Sequence, residues 1–92
     1  MEFTAQQIAE VLEGETVGNA EAVVDRFAKI EEGTERSLSF LANPKYTQYI
    51  YDTLSSVMIV NKSFEPEKEV HATLIKVDDA YQSFARLLNW YD

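Results

Sequence analysis

Apolar residues recur at helical spacing near both ends of the chain and fall in short extended runs between them. Ile8, Val11 and Leu12 share one helical face. Thr4 and Gln7 precede them at capping-box spacing and Gly14 follows as a stop, which predicts a first helix from about Ala5 to Glu13. Short strands are predicted at Glu15 to Val17 and at Ala22 to Ala28, parted by the turn pair Gly18-Asn19, before Glu31-Glu32-Gly33-Thr34 breaks the pattern. Leu38 to Leu41 reads as the end of a strand. Asn43 and Pro44 then form a helix N-cap and first-turn pair, and Tyr46, Tyr49, Ile50 and Leu54 give the helix that starts at Pro44 and ends near Leu54 one apolar stripe. Val57-Met58-Ile59-Val60 is an uninterrupted apolar run, short enough for a buried central strand. Ser63 to Val70, charged and containing Pro66, reads as a surface loop; a strand resumes at Ala72 to Val77. Asp78 or Asp79 caps a last helix whose Tyr81, Phe84, Ala85, Leu88 and Tyr91 keep to one face.

Helices alternating with short β runs predict an α/β (α+β) sandwich, a small mixed sheet flanked by about three helices, in one domain spanning residues 1–92. There is no repeat or low-complexity tract. No stop signal follows Trp90-Tyr91-Asp92, from which a longer parent cut at a domain boundary is expected. A chain of 92 residues buries only about 60 to 65% of the surface it exposes when unfolded, a modest core.

Sixteen acidic against 8 basic residues leave a net charge of −8, which repels nucleic-acid backbones and anionic membrane surfaces. The absence of cysteine removes disulfides and thiolate zinc sites and fits a reducing cytosol. No basic segment followed by an apolar run opens the chain, and no stretch approaches the ~20 apolar residues that span a bilayer. The expectation is an untargeted, soluble, cytoplasmic protein.

The candidate chemistry lies in Phe40-Leu41-Ala42-Asn43-Pro44-Lys45-Tyr46. Helical side chains lean toward the helix N-terminus, so Tyr46 in the first turn aims toward the strand end bearing Phe40, and a slot for a flat base opens between the rings. First-turn N–H groups, with Lys45 beside them, offer an anion site for a following phosphate. The competing reading places both rings in the core, Tyr46 in its stripe and Phe40 alternating inward, and composition and spacing alone favour it. Asn43 poses a conflict: one side-chain carbonyl cannot both cap the helix and hold a ligand. The lone His71 has no nucleophile or carboxylate in register and is given no catalytic role. Asp78-Asp79 and Glu31-Glu32 lack the spaced oxygen ligands of a calcium loop. The serines lack the glycines of a nucleophile elbow, and Gly14, Gly18 and Gly33 are too dispersed for a phosphate loop. No catalytic residue, metal or cofactor is assigned.

With the opening Met1-Glu2-Phe3-Thr4-Ala5-Gln6-Gln7-Ile8-Ala9 and the later Val57-Met58-Ile59-Val60-Asn61, the Phe-x-x-Asn-Pro-Lys-Tyr run resembles the N-terminal uridine-binding domain of UDP-3-O-(3-hydroxyacyl)glucosamine N-acyltransferase, from lipid A biosynthesis. The resemblance runs over essentially the whole chain. It implies a sheet flanked by helices, similar to the N-terminal domains of the Mur ligases. It also implies that Phe40 and Tyr46 flank the uracil of UDP-3-O-acylglucosamine while Asn43 helps to hold it. The family's catalytic histidine belongs to a following left-handed β-helix domain, whose hexapeptide repeats are absent here, so this chain alone is expected to be inert. That domain receives the acyl chain from acyl carrier protein and builds the family's trimer; this chain alone is expected to be a monomer. The rival from another class is a non-catalytic protein-interaction or structural module with an all-core aromatic set.

Overall fold

Thr4 accepts a hydrogen bond from the Gln7 N–H at 3.1 Å while the Gln7 side chain accepts from the Thr4 N–H at 2.9 Å, closing the capping box that starts α1, Ala5–Leu12. The computed structural model that shows this describes residues 2–91. Glu13, at φ 56°, ends α1 in the left-handed conformation, one residue before the stop expected at Gly14. Glu15–Val17 follows as β2, after the two-residue β1, Phe3–Thr4.

The single strand expected over Ala22 to Ala28 is two: β3, Val23–Val24, pairs with β1, and β4, Arg26–Phe27, joins the main sheet. The chain changes sheets at Asp25, whose N–H donates to the Arg36 carbonyl at 2.9 Å. After a 3₁₀ turn over Ile30–Glu32 come β5, Ser37–Leu41, and β6, Val57–Asn61. The last elements are β7, Thr73–Val77, and α2, Ala80–Tyr91. The main sheet runs β2-β7-β6-β5-β4, with only the β2–β7 pair antiparallel. The apolar run at Val57 is therefore the middle strand of five, as expected of residues apolar on both faces.

Strand alternation divides the core. Leu38, Val57, Ile59, Ile75 and Val77 face α1 and α2, where Ile8, Leu12 and Leu87 meet them; Leu41, Met58, Val60 and Leu74 face the opposite side with Ile30 and Ile50. Burying these side chains contributes roughly 1.5 to 3 kcal/mol each, which outweighs the weak helix propensity of the connecting segments.

Pro44–Tyr51 departs from expectation. It is a 3₁₀ helix, ends before Leu54, and buries only Ile50. With Tyr46, Thr47, Tyr49, Ile50 and Tyr51 it is poor in α-helix formers. At three residues per turn, Thr47 and Ile50 align on one side, whereas Tyr46 and Tyr49 eclipse each other outward, their centroids 5.9 Å apart. Tyr46, Tyr49 and Leu54 are 36%, 43% and 60% exposed, so the expected four-residue apolar stripe does not exist.

The stripe expected on α2 is also displaced. Ala80 and Leu87 are buried and Phe84 is half-buried against the core, while Tyr81, Ala85 and Leu88 face outward. The apolar arc of α2 is wide, and the sheet covers only one side of it. Asp79 caps this helix by accepting from the Gln82 N–H at 3.0 Å, and Asn61 accepts from the Ala80 N–H at 2.7 Å; Asp78 instead pairs with Lys62 at 2.8 Å. Among the described residues no helix is long and apolar enough to cross a membrane.

Candidate functional site

A cleft of about 520 Å³ opens beyond the carboxyl ends of β4 and β5. That is within the usual size range of ligand pockets, and it lies where open α/β sheets place their ligands. It is lined by the end of β5 and the turn that follows, Phe40 to Asn43, by the 3₁₀ turn after β4, Lys29 to Glu32, and by Tyr46 and Tyr81.

Each aromatic is placed by local geometry. Phe40 points to the helical side of the sheet, as the core reading proposed, yet it sits at the strand end and is only half-buried. Phe84 stacks on it at 4.4 Å between centroids and 23° between planes, which covers one face. Tyr46 is turned outward by the 3₁₀ pitch described above. Both rings of the proposed slot thus open onto the same cleft.

Asn43 caps the 3₁₀ helix through Oδ1, which accepts from the Lys45 N–H at 3.0 Å. The cap side of the conflict seen in the sequence is thus the one the structure shows, and the amide Nδ2 is not used by it. Lys45 is not part of the cleft lining; its Nζ lies 5.9 Å from the Tyr46 ring centroid. The cation in the lining is Lys29, flanked by Glu31 and Glu32.

Sequence reasoning missed Lys29 and Tyr81. Lys29 carries no motif, and Tyr81 was assigned to an apolar stripe. Both are brought to the cleft by packing alone, from positions 11 residues before and 41 residues after Phe40. His71 lies at the opposite end of the sheet, before β7, in a separate depression with Asn19 and Thr73. Among the described residues no group of three or more His, Cys, Asp or Glu is arranged to hold a metal ion.

The fold and the cleft define a small α/β domain with an aromatic-lined cleft at the carboxyl ends of its strands. Residues 21–90 match the family described as UDP-3-O-(3-hydroxymyristoyl) glucosamine N-acyltransferase, LpxD, and the chain belongs to that family. The UDP-3-O-acylglucosamine N-acyltransferases of Bacteroides thetaiotaomicron and Phocaeicola vulgatus are 60% and 61% identical to it over 92 residues. That of Christiangramia forsetii is 59% identical over the same length. Each alignment covers 100% of this chain but 27% of the relative, so the chain spans about a quarter of the length of these relatives.

Proposed function

We propose that the cleft binds the uridine diphosphate end of UDP-3-O-acylglucosamine, and that the chain is the nucleotide-recognition domain of an N-acyltransferase of lipid A biosynthesis. The uracil lies between Phe40 and Tyr46, Asn43 Nδ2 donates to a uracil carbonyl, and Lys29 rather than Lys45 meets the diphosphate. The observation that carries this reading is that Phe40 and Tyr46, six residues apart across a strand-to-helix turn, both open onto one cleft.

The domain acts by positioning. Binding energy from the unreacting uridine orients the glucosamine amine, which accepts a 3-hydroxyacyl chain from acyl carrier protein at a site outside these 92 residues. The whole enzyme works as a homotrimer in the cytoplasm under this reading.

Titration of the protein with UMP, UDP and UDP-N-acetylglucosamine, followed by amide NMR shifts, tests it. Shifts are expected around residues 39–49. Stacking contributes roughly 1 to 3 kcal/mol per ring, so Phe40→Ala and Tyr46→Ala are each expected to weaken UMP binding by about 5- to 150-fold while remaining folded. No shift at millimolar nucleotide sinks the proposal in favour of an interaction module whose aromatics serve packing.

A further inference from the structure

With Phe84 stacked on one side of Phe40, a single face of that ring is left for a ligand. Tyr81, one helical turn before Phe84 on α2, meets Phe40 at 6.2 Å between centroids and 72° between planes, and it also lines the cleft. Phe84 does not line the cleft whereas Tyr81 does, and a planar ring lying parallel on the free face of Phe40 would meet the plane of Tyr81 at about the same steep angle. That edge-to-face contact is one of the arrangements aromatic pairs prefer. Phe84 backs the platform, Phe40 is the platform, and Tyr81, which lines the cleft as Phe84 does not, is steeply inclined to it. Tyr81 is 66% exposed, so its ring is not part of the protein core.

We infer that Tyr81 is a positioning residue of this cleft, a lateral stop that admits one six-membered ring on Phe40 and disfavours a fused purine. The inference rests on the uridine reading above and adds a determinant of base selectivity to it. The aromatic ring does this, not the hydroxyl group.

The test measures dissociation constants for UMP and AMP with the wild-type protein, Tyr81→Ala, Tyr81→Phe, Phe40→Ala and Leu88→Ala, the last an outward-facing control on the same helix. Tyr81→Ala is expected to weaken UMP by about 3- to 10-fold and to narrow the UMP-over-AMP preference. Tyr81→Phe and Leu88→Ala keep both within twofold, and thermal melting confirms that every variant is folded. A merely structural role for Tyr81 would lower both affinities together and leave their ratio unchanged. The inference is overturned if Tyr81→Ala leaves the ratio unchanged, or if Tyr81→Phe loses as much as Tyr81→Ala. If either occurs while Phe40→Ala weakens UMP binding as expected above, the uridine reading stands without it; if the wild-type protein binds neither nucleotide, both fall together.

Discussion

Gly33 follows the 3₁₀ turn that walls the cleft, and replacing it with alanine should destabilise the protein through contact rather than conformation. Its φ of −65° and ψ of 142° are open to any residue, so the backbone imposes no need for glycine. A Cβ there would lie 1.9 Å from Ser55 Oγ, 2.7 Å from Thr53 Oγ1 and 3.0 Å from Ser55 Cβ. Ser55 is fully buried and cannot swing into water; its hydroxyl is 2.7 Å from Ser39 Oγ and 3.3 Å from Thr53 Oγ1. Overpacking of this kind costs about 1 to 3 kcal/mol, and displacing a buried hydroxyl from its partners costs about another 1 to 3. Against this, alanine restricts the unfolded chain and returns only about 0.4 to 1 kcal/mol. The net expectation for Gly33→Ala is a loss of about 1 to 5 kcal/mol, out of a total stability of about 5 to 14 for a domain of this size. A mid-range loss of about 3 kcal/mol lowers Tm by about 12 to 24 °C. Urea unfolding of Gly33→Ala, Ser55→Ala and the double variant measures it. Removing Ser55 Oγ removes the shortest contact, so the alanine at 33 should cost at least about 1 kcal/mol less in the Ser55→Ala background. A Gly33→Ala midpoint within about 0.5 kcal/mol of wild type at unchanged m-value refutes the steric reasoning.

Asn43→Asp keeps the cap acceptor but loses the amide donors; we expect unchanged thermal stability and UMP binding weakened by about 2- to 10-fold, and calorimetric titration showing wild-type affinity would remove Asn43 as a ligand contact. Lys29→Ala should reduce the preference for UDP over uridine by about two- to fivefold at low salt, whereas Lys45→Ala leaves it unchanged; the opposite ranking would return the diphosphate to Lys45. Hydrogen bonds from Arg26 and then Arg36, at 2.7 and 2.8 Å, hold the Asp25 carboxyl at about 2, below its ordinary 3.8. Because the folded-state value is the depressed one, this contribution is complete above the unfolded value and fades as pH falls from about 4 toward 2. The stability difference between wild type and Asp25→Asn should shrink over that window, and a difference constant from pH 5 to pH 2 would contradict it.

What the sequence determined by itself were features settled by near neighbours. The Thr4–Gln7 capping box, the Asn43-Pro44 start and the unbroken Val57–Val60 run read correctly because a cap needs residues within one turn and a strand apolar on both faces announces its own burial. Phe40, Tyr46 and Asn43 were legible as candidates from motif resemblance, yet their surroundings were not. Whether the helix after Pro44 runs at 3.6 or 3.0 residues per turn decides whether Tyr46 joins Ile50 inside or Tyr49 outside. That choice reflects how Ile50 docks beneath the sheet, a contact between distant parts of the chain. The wide apolar arc of α2 is visible in sequence, but only the sheet determines that Leu87 is covered while Tyr81 and Leu88 are not. For the same reason Lys29, Phe84 and Tyr81 could not be assigned to the cleft in advance: each carries an ordinary local signal, and only the parallel pairing of β4 and β5, with α2 packed across their ends, brings them to Phe40.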